Sequence, residues 1–159
     1  IVSFMENNKI FHDTIKVPDN LRFCAMVPDF KLSTEKARSV LPKTIAHKDG
    51  VFNVSRAALL VTAFMNNNLH LLKIACKDKF HQDYRSPLIN DYDKVVNYAN
   101  KLNCLGTFLS GAGPTIMSLT TDDNKFLPEM KSFLSTLNNK WIIKDLHCDS
   151  NGVVVNILD

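Results

Sequence analysis

Apolar and polar positions follow two rhythms along this chain. Short apolar runs at Val2–Met5 and Ile10–Ile15 flank Glu6-Asn7-Asn8-Lys9, a pattern that predicts a hairpin. Pro18-Asp19-Asn20 breaks it, and Leu21–Val27 reads as a strand closed by Pro28-Asp29. The period then lengthens. Ser33 suits an N-cap and Glu35 the first turn of a helix that Pro42 ends. Thr34 and Arg38, four apart, share its face. Val54, Ala57, Ala58, Val61 and Met65 recur at helical spacing within Val51–Asn66, with Leu60 and Phe64 widening the stripe. A helix this apolar is expected to be buried on more than one side. Leu69–Phe80 reads as a second helix of this type, with Leu72, Ala75 and Cys76 on one face. The stretch 81–87 is polar. Tyr92, Val95, Val96, Ala99 and Leu102 mark a further helix, and Met130, Phe133, Leu134 and Leu137 another over Phe126–Leu137. Trp141–Cys148 and Val153–Leu158 read as closing strands around the turn residues Asp149 to Gly152.

Between these helices lies a different texture. The apolar runs Leu105–Leu109 and Ile116–Leu119 are short enough for buried strands. They enclose Ser110-Gly111-Ala112-Gly113-Pro114, and three of the chain's five glycines fall at Gly106, Gly111 and Gly113. Glycine supplies φ > 0 or close backbone approach. Two glycines one residue apart also leave N–H groups accessible, as in anion-binding nests. Helices mixed with antiparallel strands predict an α+β fold with the helices on one face of the sheet.

Composition changes this picture little. A chain of 159 residues fits one domain, or one and a half of a larger protein, and it can bury a sizeable core. A net charge of +3 with scattered lysines forms no basic patch, so nucleic acid is not expected as a partner. No apolar stretch approaches membrane-span length, so no membrane association is expected. Cys24, Cys76, Cys104 and Cys148 are too widely spaced for a zinc site or disulfide scaffold, which points to a reducing, cytoplasmic compartment. The chain shows no signal peptide and opens on a strand-like run without an initiator Met, so a piece of a longer protein is expected.

Four places carry chemistry that a plain α+β domain does not require. They are Thr34 with Arg38; Asn53-Val54-Ser55-Arg56 opening the apolar helix; His81 to Arg85; and the glycine turn. Arginine presents a planar fork for carboxylate or phosphate. Two arginines with a glycine nest suit a small anion. The plainer readings are a solvated helix arginine, a capping His81, and cap and snorkel roles for Asn53 and Arg56. No Ser/His/Asp order, H-E-x-x-H, Walker A loop or paired carboxylate motif is present. The residues alone reach no further than an α+β domain, with anion binding left open beside the plainer readings.

The same blocks bear a family resemblance. Val27-Pro-Asp-Phe30, Ser33-Thr-Glu-Lys-Ala-Arg38, Val51-Phe-Asn-Val-Ser-Arg56, His81-Gln-Asp-Tyr-Arg85 and Leu109-Ser-Gly-Ala-Gly-Pro-Thr115 together resemble homoserine kinases, members of the GHMP kinase superfamily. The glycine turn resembles a motif shared by the whole superfamily. The arginine blocks resemble the homoserine branch. The resemblance implies a GHMP kinase C-terminal domain over residues 21–159, an antiparallel ferredoxin-like sheet with helices packed on one face. It assigns residues 1–20 to the last strands of a truncated N-terminal domain. The family's glycine- and serine-rich ATP-phosphate loop has no counterpart in this sequence.

The resemblance implies an ATP-dependent homoserine kinase of threonine biosynthesis, with L-homoserine, ATP and Mg2+ as substrates and cofactor. It also allows a homodimer. Thr34, Arg38 and Arg85 resemble the substrate-binding residues, the arginines clamping the α-carboxylate. Ser110, Gly111, Ala112 and Gly113 resemble the loop near phosphate and substrate, and Asn53 and His81 resemble supporting residues. No catalytic residue and no metal ligand is identified here; the ligands of Mg2+ are expected in the missing N-terminal part. Two other readings stand beside this one. One is another GHMP kinase acting on a different alcohol. The other is a non-enzymatic amino-acid-binding regulatory domain, which has no need for the run Leu109–Thr115.

Overall fold

A computed structural model describes residues 1–121, 124–149 and 152–156. Strands β1 (Val2–Glu6) and β2 (Lys9–Asp13) form the predicted hairpin, turned by Asn7 and Asn8 at positive φ. Asparagine tolerates that region better than most residues. β3 (Arg22–Pro28) follows, then helix α1 (Thr34–Ser39), whose N-cap Ser33 accepts from Lys36 N. The long helix α2 (His47–Met65) leads through a 3-10 turn (Leu69–Leu71) into α3 (Leu72–Ala75). A four-residue helix α4 (Gln82–Arg85) and a second 3-10 turn (Ser86–Leu88) occupy the polar stretch. Then come α5 (Tyr92–Lys101), β4 (Gly106–Leu109), β5 (Ile116–Thr120), α6 (Phe126–Leu134) and β6 (Trp141–Leu146).

Strands β3 to β6 make one antiparallel sheet in the order β4-β5-β3-β6. The register pairs Cys24 with Ser118 and Met26 with Ile116, so these four share a face. That face carries the larger core. Cys24, Met26, Leu109 and Ile116 pack against Val95 and Ala99 of α5 and Phe126, Met130 and Leu134 of α6. Tyr98 and Phe133 stack between the two helices with centroids 4.0 Å apart. The opposite face, with Phe23, Phe108 and Leu119, packs against Ala63 of α2 and Leu72 of α3. The α+β class and the antiparallel sheet are as the pattern predicts. The helices of one face are α5 and α6; α2 and α3 add cover on the other.

Four elements differ from the hydrophobic pattern. Helix α2 is not buried on more than one side. Only Ala63 is fully buried, while Val51, Val54 and Met65 are 56%, 68% and 69% exposed. Periodicity marks which face could be covered, and here the sheet and α3 reach only one. The second helical run stops at Ala75 instead of Phe80. Asp78 sits where the helix would continue, and its side chain binds the amides of His81 and Gln82 instead. Aspartate competes with the helix in this way. Helix α6 ends at Leu134, where Ser135 and Thr136 hydroxyls return to carbonyls three residues back at 2.7 Å each. The expected strand Val153–Leu158 is not formed over residues 153–156, which are exposed and irregular; Ile157 and Leu158 lie outside the described residues.

Candidate functional site

The glycine turn joins β4 to β5 as a hairpin loop. Ser110 N donates to Thr115 O at 2.9 Å and Gly113 N to Ser110 O at 3.0 Å, which closes the loop. Gly111 and Gly113 have φ of +56° and +83°, and a Cβ on Gly113 would stand 3.0 Å from Leu109 Cδ1. Only glycine fits that position without displacing the core. The amides of Gly111 and Ala112 have no protein acceptor among the described residues. The turn therefore offers two free donors at its tip, as a nest does.

Arg85 ties this turn to two other segments. Its Nε donates to Ala37 O at 3.0 Å, its Nη1 to Gly111 O at 2.9 Å, and Nη1 also meets His81 Nδ1 at 3.2 Å. Arginine can only donate, so His81 Nδ1 accepts and the ring proton lies on Nε2. Burial lowers the His81 pKa, and nearby Arg85 lowers it further against the opposing pull of Asp78. His81 is thus neutral at pH 7. Three of Arg85's five N–H groups are committed to the protein, which leaves the two on Nη2.

The residue beside Ala37 is Arg38. It is exposed on α1, as is Thr34 one turn earlier, and its side chain has no partner among the described residues. The Arg85 bridge between Ala37 O and Gly111 O gathers α1, α4 and the turn into one neighbourhood. Of the residues singled out in the sequence, Thr34, Arg38, Arg85, Ser110, Gly111, Ala112 and Gly113 fall within these segments.

Asn53 and His81 stand behind them and are connected by a residue the sequence reading missed. Asp78, with a side chain only 10% exposed, accepts from Asn53 Nδ2, His81 N and Gln82 N, each at 2.7 Å. Asn53 Oδ1 in turn accepts from Lys79 N at 2.8 Å. Burial alone would raise the Asp78 carboxyl, but these hydrogen bonds outweigh it and hold the group below the usual carboxylate range. Gln82 was also missed. Its Oε1 accepts from Leu109 N at 2.8 Å, one residue before the turn, and its Nε2 donates to Cys76 O at 3.2 Å. The signal available was an aspartate three to four residues before an H-Q pair, a spacing suited to capping.

Comparison with known proteins bears on the family and the fold. A model described as "GHMP kinases C terminal" matches residues 60–134, which include α4, α5, the glycine turn and α6. Over these residues the chain is similar to the C-terminal domain of GHMP kinases. It is 52% identical over 155 residues to a homoserine kinase of Clostridium botulinum (strain Kyoto / Type A2), covering 97% of this chain and 52% of that protein. A homoserine kinase of Clostridium beijerinckii is 45% identical over 156 residues, covering 98% of this chain and 52% of the relative. The chain thus spans about half the length of the curated relatives it matches, 52% in each case. Among solved structures, homoserine kinase from Cytophaga hutchinsonii superposes with a TM-score of 0.79 at 28% identity, over 86% of this chain and 44% of that one. A Listeria monocytogenes structure at 21% identity and TM-score 0.66 shares the fold.

Among the described residues, no group of three or more His, Cys, Asp or Glu side chains could hold a metal ion. No described helix is long and apolar enough to cross a membrane.

Proposed function

We propose that this chain forms the C-terminal half of an ATP-dependent, cytoplasmic homoserine kinase. In this reading the whole enzyme transfers the γ-phosphoryl group of ATP to the hydroxyl of L-homoserine, giving O-phospho-L-homoserine. The observation that carries it is the Arg85 bridge, which sets two guanidinium-bearing segments beside a turn with free amides. Residues 1–20 belong in this reading to the other half of the enzyme, and residues 21–159 to the C-terminal domain. The other half, present in the relatives, would cover apolar side chains exposed here, such as Phe4, Met5, Val51 and Val54.

The arginines divide the work of holding the α-carboxylate. Arg38, with its whole fork uncommitted, binds both oxygens. Arg85 contributes its remaining Nη2 group and fixes the distance between α1 and the turn. Phosphoryl transfer depends mainly on positioning and charge stabilisation. Thr34 lines the same pocket, and the Gly111 and Ala112 amides face the phosphate side. Magnesium would neutralise phosphate charge when bound. The described residues offer no cluster of three or more His, Cys, Asp or Glu side chains to hold it. A homodimer is the assembly to be tested by light scattering.

The test is a coupled assay on a protein joining this chain to the half its relatives have in addition. L-Homoserine is expected to be phosphorylated, and the 159 residues alone are expected to show no ATP turnover. Arg38→Ala is expected to raise the homoserine KM about 10- to 150-fold while leaving the ATP KM nearly unchanged. Arg85→Lys is expected to fail as a replacement, because a lysine cannot span Ala37 O, Gly111 O and His81. A loss confined to the ATP KM would overturn these assignments, and activity on another alcohol only would discard the homoserine branch.

A further inference from the structure

A cleft of 330 Å3 opens between α2 and the sheet face that α2 covers, behind the site above and sharing its Asn53, Asp78, His81 and Gln82. Phe23 and Phe108 line it from the sheet, and Leu60 and Phe64 from α2, with Asn53 and Arg56 among its polar groups. Neither Arg38, Arg85 nor the glycine turn lines it. A mostly apolar cleft of this size with a few placed polar groups is the usual form of a small-molecule site.

Arg56 is held in an unusual way for a helix arginine. Its guanidinium lies over the Phe52 ring, 3.9 Å from the centroid, and Nη1 donates to Ser55 Oγ at 3.0 Å. Its Nε is buried and has no hydrogen-bond partner among the described residues. A buried donor without an acceptor is costly, and a charged one more so. Stacking against Phe52 fixes the plane of the fork before any ligand arrives, which lowers the cost of binding.

The charges lining the cleft set the class of ligand. Arg56 and Lys77 stand against Asp78, which leaves one positive charge, and the Asp78 oxygens already accept from Asn53, His81 and Gln82. His81 adds no charge at pH 7, since burial lowers its pKa. A phosphate dianion would meet the Asp78 carboxylate with its charge half uncompensated. A monoanion would not.

We infer that the α2 cleft is a second binding site, taking a small monocarboxylate with an aromatic or branched apolar body, its carboxylate on Arg56 and its body against Phe23 and Phe108. The cleft adjoins the phosphoryl-transfer site through Asn53, Asp78, His81 and Gln82, but the inference uses none of that site's arginines or turn residues.

The test is calorimetric titration of the 159-residue chain with 3-phenylpropionate and, separately, with the isosteric 3-phenylpropanamide. The acid is expected to bind saturably and the amide about tenfold more weakly or worse, the loss of one charge-assisted contact. Arg56→Gln is expected to weaken the acid by at least about tenfold and leave the amide unchanged. Ala57 is exposed on the same helix and also lines the cleft. Ala57→Trp is expected to abolish binding of both compounds at an unchanged unfolding midpoint, which keeps the test decisive if Arg56→Gln does not fold. No saturable binding of the acid, equal binding of acid and amide, or full binding by Ala57→Trp would each overturn the inference.

Discussion

Two antiparallel sheets occur in the described residues, β1–β2 and β4-β5-β3-β6. In the first, every residue is exposed. In the second, the central strand β3 keeps Cys24, Ala25 and Met26 at 0–4% exposure. Both were read from the same signal, short apolar runs bounded by turn residues, and both are formed. The hairpin has local chemistry in its favour: Asn7 and Asn8 at positive φ, and Phe4 stacked on Phe11 with centroids 5.1 Å apart. What it lacks is a second layer to cover it. A lone two-stranded hairpin is marginal in water, whereas a sheet with a covered face gains from each apolar side chain removed from solvent. Turn chemistry decides the shape of a hairpin, and burial decides what it contributes to stability.

The comparison can be pressed with one substitution made twice. Phe126→Ala removes a ring that is 1% exposed and touches the larger core, and it is expected to cost about 3–5 kcal/mol in urea unfolding. Phe4→Ala, at 60% exposure, is expected to shift the same transition by no more than about 0.5 kcal/mol. Loss of amide protection confined to residues 2–13 would accompany it. Equal costs at the two positions would mean that the hairpin is packed on something.

Between these extremes stand two changes at the seams. Gly106→Ala would place a methyl 2.8 Å from Cys76 Sγ and 3.2 Å from the Leu72 carbonyl oxygen. The helix backbone must then move off β4, for an expected cost of about 1–3 kcal/mol. Asp78→Asn removes the charge that caps the start of α4 and is expected to cost about 1 kcal/mol at pH 7. Because the folded Asp78 carboxyl lies below its unfolded value, the stability it adds is full above the unfolded pKa and is lost as pH falls through the folded one. The gap between the wild type and Asp78→Asn is therefore expected to narrow as pH falls below the usual carboxylate range, and unfolding midpoints taken between about pH 7 and 2.5 check it. A gap that persists at low pH would show that the carboxylate charge plays no part.

Much of the fold was legible because its determinants are local. Ser33 caps α1, the asparagines turn the hairpin, and the 3.6 period marks α2, α5 and α6. What sequence could not give was set by distant partners. Helix α2 shows its stripe in the sequence, but whether a second layer covers it depends on residues far along the chain. The run Leu69–Phe80 is broken by Asp78, whose partner Asn53 lies 25 residues away. The site followed the same rule. Arg38 and Arg85 could be named from their blocks, yet that Arg85 commits two of its N–H groups to Ala37 and Gly111, 48 and 26 residues distant, is visible only in three dimensions. Gln82 had no local signal for its bond to Leu109.

The four cysteines give the molecule an uneven chemical surface. Cys24 is buried, its thiol pushed up to about 11 chiefly by desolvation; Cys76 is pushed up to about 12 by the same cause, with Cys104 beside it. Cys104 is itself buried, and Cys148 alone is exposed. Since thiolate is the reactive form, an alkylating dye at neutral pH is expected to mark Cys148 first and stop. One fluorophore just past the end of β6 then comes without any engineering. The three slower thiols become a clock: each reports, by the moment it is alkylated, when the layer that shelters it has opened.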